Sequence, residues 1–167
     1  KYERLLERCA SLDAVPTAVV HPCEISALEG AVEAAAKGLI QPWYVGPAEK
    51  IKELAASKGL KLDASRIVDA RHSHESAVRA VELVRLGKAE LLMKGSLHTD
   101  ELLSAVVARD AGLRTGRRIS HVFIMDVPTY HKVLIITDAA INIAPTLEDK
   151  VDICQNAIDL AISLGVE

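Results

Sequence analysis

The chain has 167 residues, half of them hydrophobic but only 3% aromatic, and a net charge of −3. That length allows a real core, and a core of Ala, Val, Ile and Leu suits a parallel sheet covered by helices. No basic stripe supports nucleic-acid binding, no run of about eighteen apolar residues supports a membrane span, and nothing reads as a signal peptide.

Residues 1–11 read as a short amphipathic helix, with Tyr2, Leu5, Leu6 and Cys9 at helical spacing. Thr17 to Val20 reads as a buried strand that ends at His21-Pro22, where Pro22 cannot donate to a ladder. A helix is predicted from Ile25 to Lys37, stopped by Gly38, then a strand at Trp43-Tyr44-Val45 closed by Gly46-Pro47. A helix over 48–58 ends at Gly59, and Arg66 to Asp69 reads as a third strand. Glu75 to Leu86 reads as a helix with Val78, Val81 and Val84 on one face and Gly87 as its stop, and Glu90 to Met93 as a fourth strand. This regular β-α alternation with short links argues for parallel strands. Asp100 to Asp110 reads as a helix, with Leu102, Leu103, Val106 and Val107 inward.

The rhythm then changes. Ile119 to Val127 and Lys132 to Thr137 read as strands joined by only Pro128-Thr129-Tyr130-His131, too few residues for a crossover helix, so an antiparallel hairpin is expected. A last helix begins at Thr146, where Thr146-Leu147-Glu148-Asp149 resembles a capping box, and Val151, Cys154, Ile158 and Ala161 form its apolar stripe. The expected division is a first α/β domain over 1–138 and the opening of a second over 139–167, leaving that stripe partly without a partner. The chain starts at Lys1 and stops at Gly165-Val166-Glu167 where a strand is expected next, so it reads as a fragment of a longer protein.

Two loops stand out as candidate sites. Leu91-Leu92-Met93 runs into Lys94-Gly95-Ser96-Leu97-His98-Thr99, and Ile135-Ile136 runs into Thr137-Asp138-Ala139-Ala140-Ile141-Asn142 and Pro145-Thr146. Each is an apolar run that breaks into small polar residues before a helix, the arrangement by which α/β proteins build anion sites, and the pair suggests a cleft. Gly95 lets backbone approach a ligand closely, Ser96 and Thr99 offer hydroxyls, and Lys94 offers a point charge for phosphate. The plain alternative is a strand-to-helix turn with Thr99 as the helix cap. Asp138 must be exposed in a cleft or find partners; its alternative is an Asx-type loop that ties down its own backbone.

Other groups carry less. His72-Ser73-His74-Glu75 offers two rings to a metal but no third ligand, and a helix N-terminus explains it more cheaply. Asp126 and His131 flank the hairpin turn and read as solvated, as do Arg114, Arg117 and Arg118. His21 and His121 read as structural. Cys9, Cys23 and Cys154 are odd in number and far apart, so neither a zinc site nor a disulfide is expected and a reducing, cytoplasmic setting fits. No P-loop, nucleophile elbow or dinucleotide fingerprint is present.

The two loops in this order, with Gly112-Leu113-Arg114-Thr115-Gly116, Ile119-Ser120-His121-Val122 and the block Thr137 to Lys150, resemble the phosphate acetyltransferase/phosphate butyryltransferase family, most densely from Leu91 to Leu164. The wording of Met93-Lys94-Gly95 and Asn142 to Thr146 looks nearer to the butyryltransferase branch, and the arginine usual in the acetyltransferase branch is replaced near Ser104 and Ala105. The chain also resembles the transferase part of bacterial enoyl-CoA hydratase/phosphate acetyltransferase proteins, in which a hydratase-like domain comes first. The resemblance implies a three-layer αβα, isocitrate/isopropylmalate dehydrogenase-like architecture of two domains, truncated here, with a mostly parallel sheet and one antiparallel hairpin. It implies reversible transfer of an acetyl or butyryl group between CoA and phosphate, by direct attack of the CoA thiolate on acyl phosphate in a ternary complex, with no metal and no cofactor beyond CoA as substrate. The assembly it implies is a homodimer. Lys94, Gly95, Ser96 and Thr99 would face phosphate or acyl phosphate; Thr137, Asp138 and Asn142 would line the second side of the cleft, with Thr146 also on the substrate. The family's aspartate base would lie in a later segment, so this piece alone is expected to be inactive. Two other readings stay open: a non-catalytic CoA- or phosphate-binding module of the same fold, and a metal-dependent dehydrogenase, for which only isolated carboxylates (Asp126, Asp138) are present.

Replacing Asn142 with Ala is expected to lower turnover well beyond any loss of stability; steady-state kinetics beside urea unfolding would check it, and unchanged kinetics would remove Asn142 from the site.

Overall fold

A computed structural model describes the backbone of residues 2–166 and the side chains of residues 3–166. Lys1, in the expected first helix, and Glu167, in the expected terminal turn, lie outside the described residues. The chain divides into two compact units, Ala10–Arg114 and the pair of segments Lys1–Cys9 and Thr115–Glu167. The boundary expected after Asp138 falls inside the second of these.

The first unit holds β1 (Val15–Val20), α2 (Ile25–Ala36), β2 (Ile40–Gly46), α3 (Ala48–Ser57), β3 (Ile67–Asp69), α4 (Ser73–Arg85), β4 (Leu91–Lys94) and α5 (Thr99–Val106), α1 being Tyr2–Cys9. All strand pairs are parallel, in the order β3-β2-β1-β4. From β1 the chain steps outward through β2 to β3, then returns to place β4 on the other side of β1. Alternation along β1 sorts the two layers. Ala18 and Val20 pack with Ala77, Ala80 and Leu83 of α4 and Leu102 of α5. Val19 packs on the opposite face with Leu28 and Ala31 of α2 and Ile51 and Ala55 of α3. The result is three layers, helix pair on sheet on helix pair, as the β-α alternation requires. Leu28, Ile51, Val20 and Val45 are completely buried, each contributing about 1.5–3 kcal/mol of apolar burial.

Local signals set most boundaries. α2, α3 and α4 each end just before the glycine assigned to stop them; Gly87, for example, takes φ 68°, which a side chain would resist. Two details differ. Val78 of α4 is 57% exposed while Ala77, Ala80 and Val81 are buried; small residues let α4 lie close to the sheet and turn Val78 outward. The helix expected over 100–110 stops at Val106, because Gly112 and Leu113 fold back to donate to the carbonyls of Ala108 and Val106.

The second unit holds α1, β5 (Val122–Met125), β6 (Leu134–Thr137) and α6 (Leu147–Ser163). β5 and β6 pair antiparallel, Val122 opposite Thr137, as a two-stranded sheet of their own. The Arg8 guanidinium donates to the Leu164 carbonyl at the end of α6, where the helix dipole favours a cation. The apolar stripe of α6 is largely without a partner in this unit, as expected: Val151, Cys154 and Ile158 are exposed and Ala161 is half-buried, while Ile153 and Ala157 are buried. Two strands offer α6 one narrow apolar surface, and the Ile153–Ala157 side takes it. No described helix is long and apolar enough to cross a membrane.

The joint between β1 and β4 is tight. A Cβ on Gly95 would lie 2.5 Å from the Val20 carbonyl oxygen and 2.7 Å from that of His21. Gly95→Ala is expected to cost about 1–3 kcal/mol, the usual range for overpacking, read as a lower urea midpoint with an unchanged slope.

Candidate functional site

The carboxyl ends of β1 and β4 meet where the strand order reverses, the position at which open parallel sheets bind ligands. β1 is followed by His21 at φ 54°, the one described non-glycine residue at positive φ. Its amide donates to Val45 O at 2.7 Å. Its carbonyl accepts from Cys23 N at 2.8 Å, Ser96 N at 2.9 Å and Ser96 Oγ at 2.8 Å. Gly95 N donates to Val20 O at 2.8 Å, and Ser96 Oγ accepts from Cys23 N at 3.0 Å.

The Lys94-Gly95-Ser96 turn is therefore stitched to the end of β1. The close approach that requires Gly95 is to this backbone, and the Ser96 hydroxyl joins the two loops. Lys94 is exposed and donates to Gly95 O at 3.2 Å. Thr99 is exposed as the first residue of α5, but it is not the cap. That position belongs to His98, whose amide donates to Glu101 Oε2 at 3.0 Å.

A group of histidines surrounds this end of the sheet. Glu101 accepts from Ser73 Oγ at 2.9 Å and pairs with His74 Nε2 at 3.1 Å. The Ser73 bond, opposed by burial and aided by His98 N, holds the Glu101 carboxyl below its usual range. His72 caps α4, its Nδ1 accepting from Glu75 N at 3.3 Å. His21 Nδ1 lies 3.0 Å from Ser76 Oγ. Burial first, then Lys50 and His72, hold the His21 imidazole below its ordinary pKa against the opposing charge of Glu101. The His72–His74 pair serves the starts of two helices, and no group of three or more His, Cys, Asp or Glu among the described residues is placed to hold a metal ion.

The second loop belongs to the other unit and is organised by Asp138. Its carboxylate accepts from His121 N at 3.0 Å, Ala140 N at 3.2 Å, Ile141 N at 3.3 Å, Asn142 N at 2.7 Å and also from Asn142 Nδ2. Burial raises its pKa, but the Asn142 amide and the surrounding backbone N–H groups outweigh this and hold it far below the carboxylate range. The geometry is that of the Asx-type loop. Thr137 Oγ1 donates to His121 O at 2.8 Å. Asn142 also donates to Ile119 O at 3.0 Å and accepts from Arg118 Nε at 2.6 Å, so both ends of its amide have partners, in the loop and in the segment before β5.

Arg117 and Arg118 are not free solvated charges. Arg118 Nη1 pairs with Asp149 at 3.2 Å, its amide donates to Asp152 at 2.8 Å, and its carbonyl accepts from Asn156 at 2.9 Å. Arg117 reaches Asp159 at 2.5 Å. Residues 149, 152, 156 and 159 follow helical spacing, so one polar face of α6 holds the whole 117–120 segment. Thr146 caps α6 as expected: its hydroxyl accepts from Asp149 N at 3.2 Å while Asp149 accepts from Thr146 N at 3.0 Å.

Thr137, Asp138, Asn142 and Thr146 thus belong to one network through Arg118 and Asp149. Lys94, Gly95, Ser96 and Thr99 are grouped at the β1–β4 joint. His21, Ser76 and Arg118 were missed as site elements; the His-Pro that ends β1 was the available signal for the first. His131 lies against Tyr130, with ring centroids 4.9 Å apart. His121 packs against Phe123 at 4.4 Å, its buried Nδ1 without a described partner.

The profile of the family described as phosphate acetyl/butaryl transferase matches residues 73–167. A phosphate acetyltransferase of Rhizobium meliloti is 55% identical over 166 residues, 99% of this chain and 52% of that protein. A phosphate butyryltransferase of Clostridium beijerinckii is 34% identical over 166 residues, 99% of this chain and 55% of that protein. The crystal structure of a phosphotransacetylase from Streptococcus pyogenes superposes with a TM-score of 0.78 at 19% identity, over 96% of this chain and 57% of that one, and shares the fold. The chain spans about half the length of the curated relatives it matches. The likeness of its short blocks to the butyryltransferase branch does not extend to the whole chain, which is closer to the named acetyltransferase.

Asp138→Ala would leave its donors unpaired and is expected to cost about 2 kcal/mol, the scale of hydrogen bonds to a charged group. Because the folded carboxyl is shifted downward, the wild-type advantage is present above the unfolded value of about 4 and fades as pH falls below it. Urea unfolding of both proteins between pH 7 and pH 3 measures it.

Proposed function

We propose, because this chain belongs to the phosphate acetyl/butaryl transferase family, that it is part of an enzyme that moves a short acyl group reversibly between CoA and inorganic phosphate. The observation that carries the reading is the 55% identity to a phosphate acetyltransferase along nearly the whole chain. The same comparison favours acetyl over butyryl as the preferred group.

The reaction needs phosphate held against the acyl carbon, a thiolate, and donors for the charge that develops on the carbonyl oxygen. In this reading the Lys94-Gly95-Ser96 turn supplies the phosphate end. Lys94 is its exposed cation, and Thr99 stands at the start of α5, where helix amides favour an anion. Gly95 and Ser96 act by fixing the turn on β1. Thr137, Asp138, Asn142 and Thr146 shape the second substrate loop, with Asn142 held by Asp138 and Arg118. The CoA thiolate attacks the acyl phosphate carbonyl directly; the C–S bond forms, the C–O bond to phosphate breaks, and phosphate leaves. The base that takes the thiol proton belongs to the part of the relatives' length that this chain does not span, so the 167 residues alone bind without turnover. We place the enzyme in the cytoplasm as a homodimer whose two α/β domains are only partly represented here, with CoA as a substrate and no further cofactor.

The test is phosphate-dependent release of free CoA thiol from acetyl-CoA and from butyryl-CoA by the full-length protein. Release that requires phosphate, faster with acetyl-CoA, is the expected result; CoA binding without release would favour a non-catalytic binding module. Lys94→Ala should raise the phosphate KM about tenfold or more, the loss of one charged contact, with the urea midpoint unchanged.

A further inference from the structure

Ser76 is fully buried on α4 and has one hydroxyl proton to give. Its Oγ lies 2.9 Å from the His72 carbonyl oxygen, which can only accept, and 3.0 Å from His21 Nδ1. The proton therefore goes to His72 O, and His21 Nδ1 must donate to Ser76. Burial, with Lys50 and His72 nearby, lowers the imidazole pKa and favours the neutral ring in spite of Glu101. A neutral ring protonated on Nδ1 carries a lone pair on Nε2. No described residue is hydrogen-bonded to that nitrogen, and it is not among the buried unpartnered atoms.

The ring's position adds a second, independent observation. His21 sits at φ 54° just past the end of β1, directly at the reversal of strand order, and its carbonyl anchors the turn that follows Lys94. Non-glycine residues held at positive φ gather at ligand sites, where surrounding structure keeps them in place. Here the strained residue has one nitrogen locked inward and one with no protein partner. The groups facing it are Lys50 from α3, His72 and Ser76 from α4 and Glu101 from α5. Val20 and Lys94 are register partners on β1 and β4, which brings a cation to the same strand ends.

We propose that His21 Nε2 is the acceptor for the proton-bearing oxygen of hydrogen phosphate, and so separates phosphate from oxyanions that carry no proton at neutral pH, such as sulfate. Lys94 supplies charge to either anion; only an acceptor tells them apart, since a lone pair facing an unprotonated oxygen repels it. The inference rests on the phosphate acyltransferase reading and adds a specificity-determining residue to it.

Two experiments decide it. The first needs no turnover: in the full-length protein labelled with ¹⁵N-histidine, His21 should show the Nδ1–H tautomer, and its Nε2 resonance should move on titration with inorganic phosphate but not with sulfate. The second uses His21→Asn, which tolerates positive φ and keeps a donor toward Ser76 but has nothing at the Nε2 position. Its phosphate KM should rise about tenfold, its acetyl-CoA KM should stay unchanged, and sulfate should inhibit more strongly relative to phosphate. His21→Gln, whose amide oxygen reaches toward the same place, should recover part of the loss. An Nε2–H tautomer, an Nε2 resonance indifferent to phosphate, or an unchanged phosphate KM in His21→Asn would overturn the proposal. A wild-type protein that releases no CoA thiol would sink the transferase reading alone, because the phosphate titration of His21 would still decide this one.

Discussion

The carbonyl oxygen of His21 accepts three hydrogen bonds, two from Ser96 and one from Cys23, in a space that only a glycine at position 95 leaves open. Those bonds join the ends of two strands that lie about seventy residues apart in sequence. They hold the turn that follows Lys94 and leads into α5, while the His21 ring is held by Ser76. A polar group buried at such a joint without partners would cost more than an ordinary hydrogen bond returns. The joint is therefore fully paired, and under the proposed reading the exposed Lys94 ammonium and the outer nitrogen of His21 face the ligand.

The second loop follows the same principle with different chemistry. A carboxylate just past an apolar strand has to be satisfied, and Asp138 gathers backbone amides on both sides of itself together with the Asn142 amide. Arg118 then connects Asn142 to Asp149 at the start of α6. The polar side chains here form a scaffold, and α6 divides into three faces: Ile153 and Ala157 inward, Asp149 to Asp159 toward the arginine segment, and Leu147, Val151, Ile158 and Ile162 exposed.

This division of labour bears on what family membership implies for individual residues. A motif shared among relatives mixes groups that touch substrate with groups that hold those groups still. Gly95, Ser96, Asp138 and Asn142 have their polar atoms engaged by neighbouring backbone and side chains, so replacing them disturbs geometry as well as chemistry. Lys94 is exposed and gives a single bond, at 3.2 Å, to the carbonyl of its neighbour Gly95. Kinetics of the first kind of variant has to be read beside stability, whereas Lys94 separates the two directly.

Beyond leaving the Asp138 loop open between an Asx-type turn and a substrate site, the sequence by itself determined the parallel β-α alternation, the helix stops at glycines, the antiparallel hairpin and the Thr146–Asp149 cap. All of these follow from periodicity, turn chemistry or hydrogen bonds within a few residues. Only the tertiary structure decided that β4 lies beside β1, because strand order depends on pairing between distant segments whose apolar runs look alike. From that order follow the joint at Gly95, the positive φ of His21 and the bond to Ser76, none of which His21-Pro22 announces. The choice of the buried face of α6 has a related cause: its apolar residues outnumber what a two-stranded sheet can cover, and the surface available for packing, rather than the helical period, chose Ile153 and Ala157.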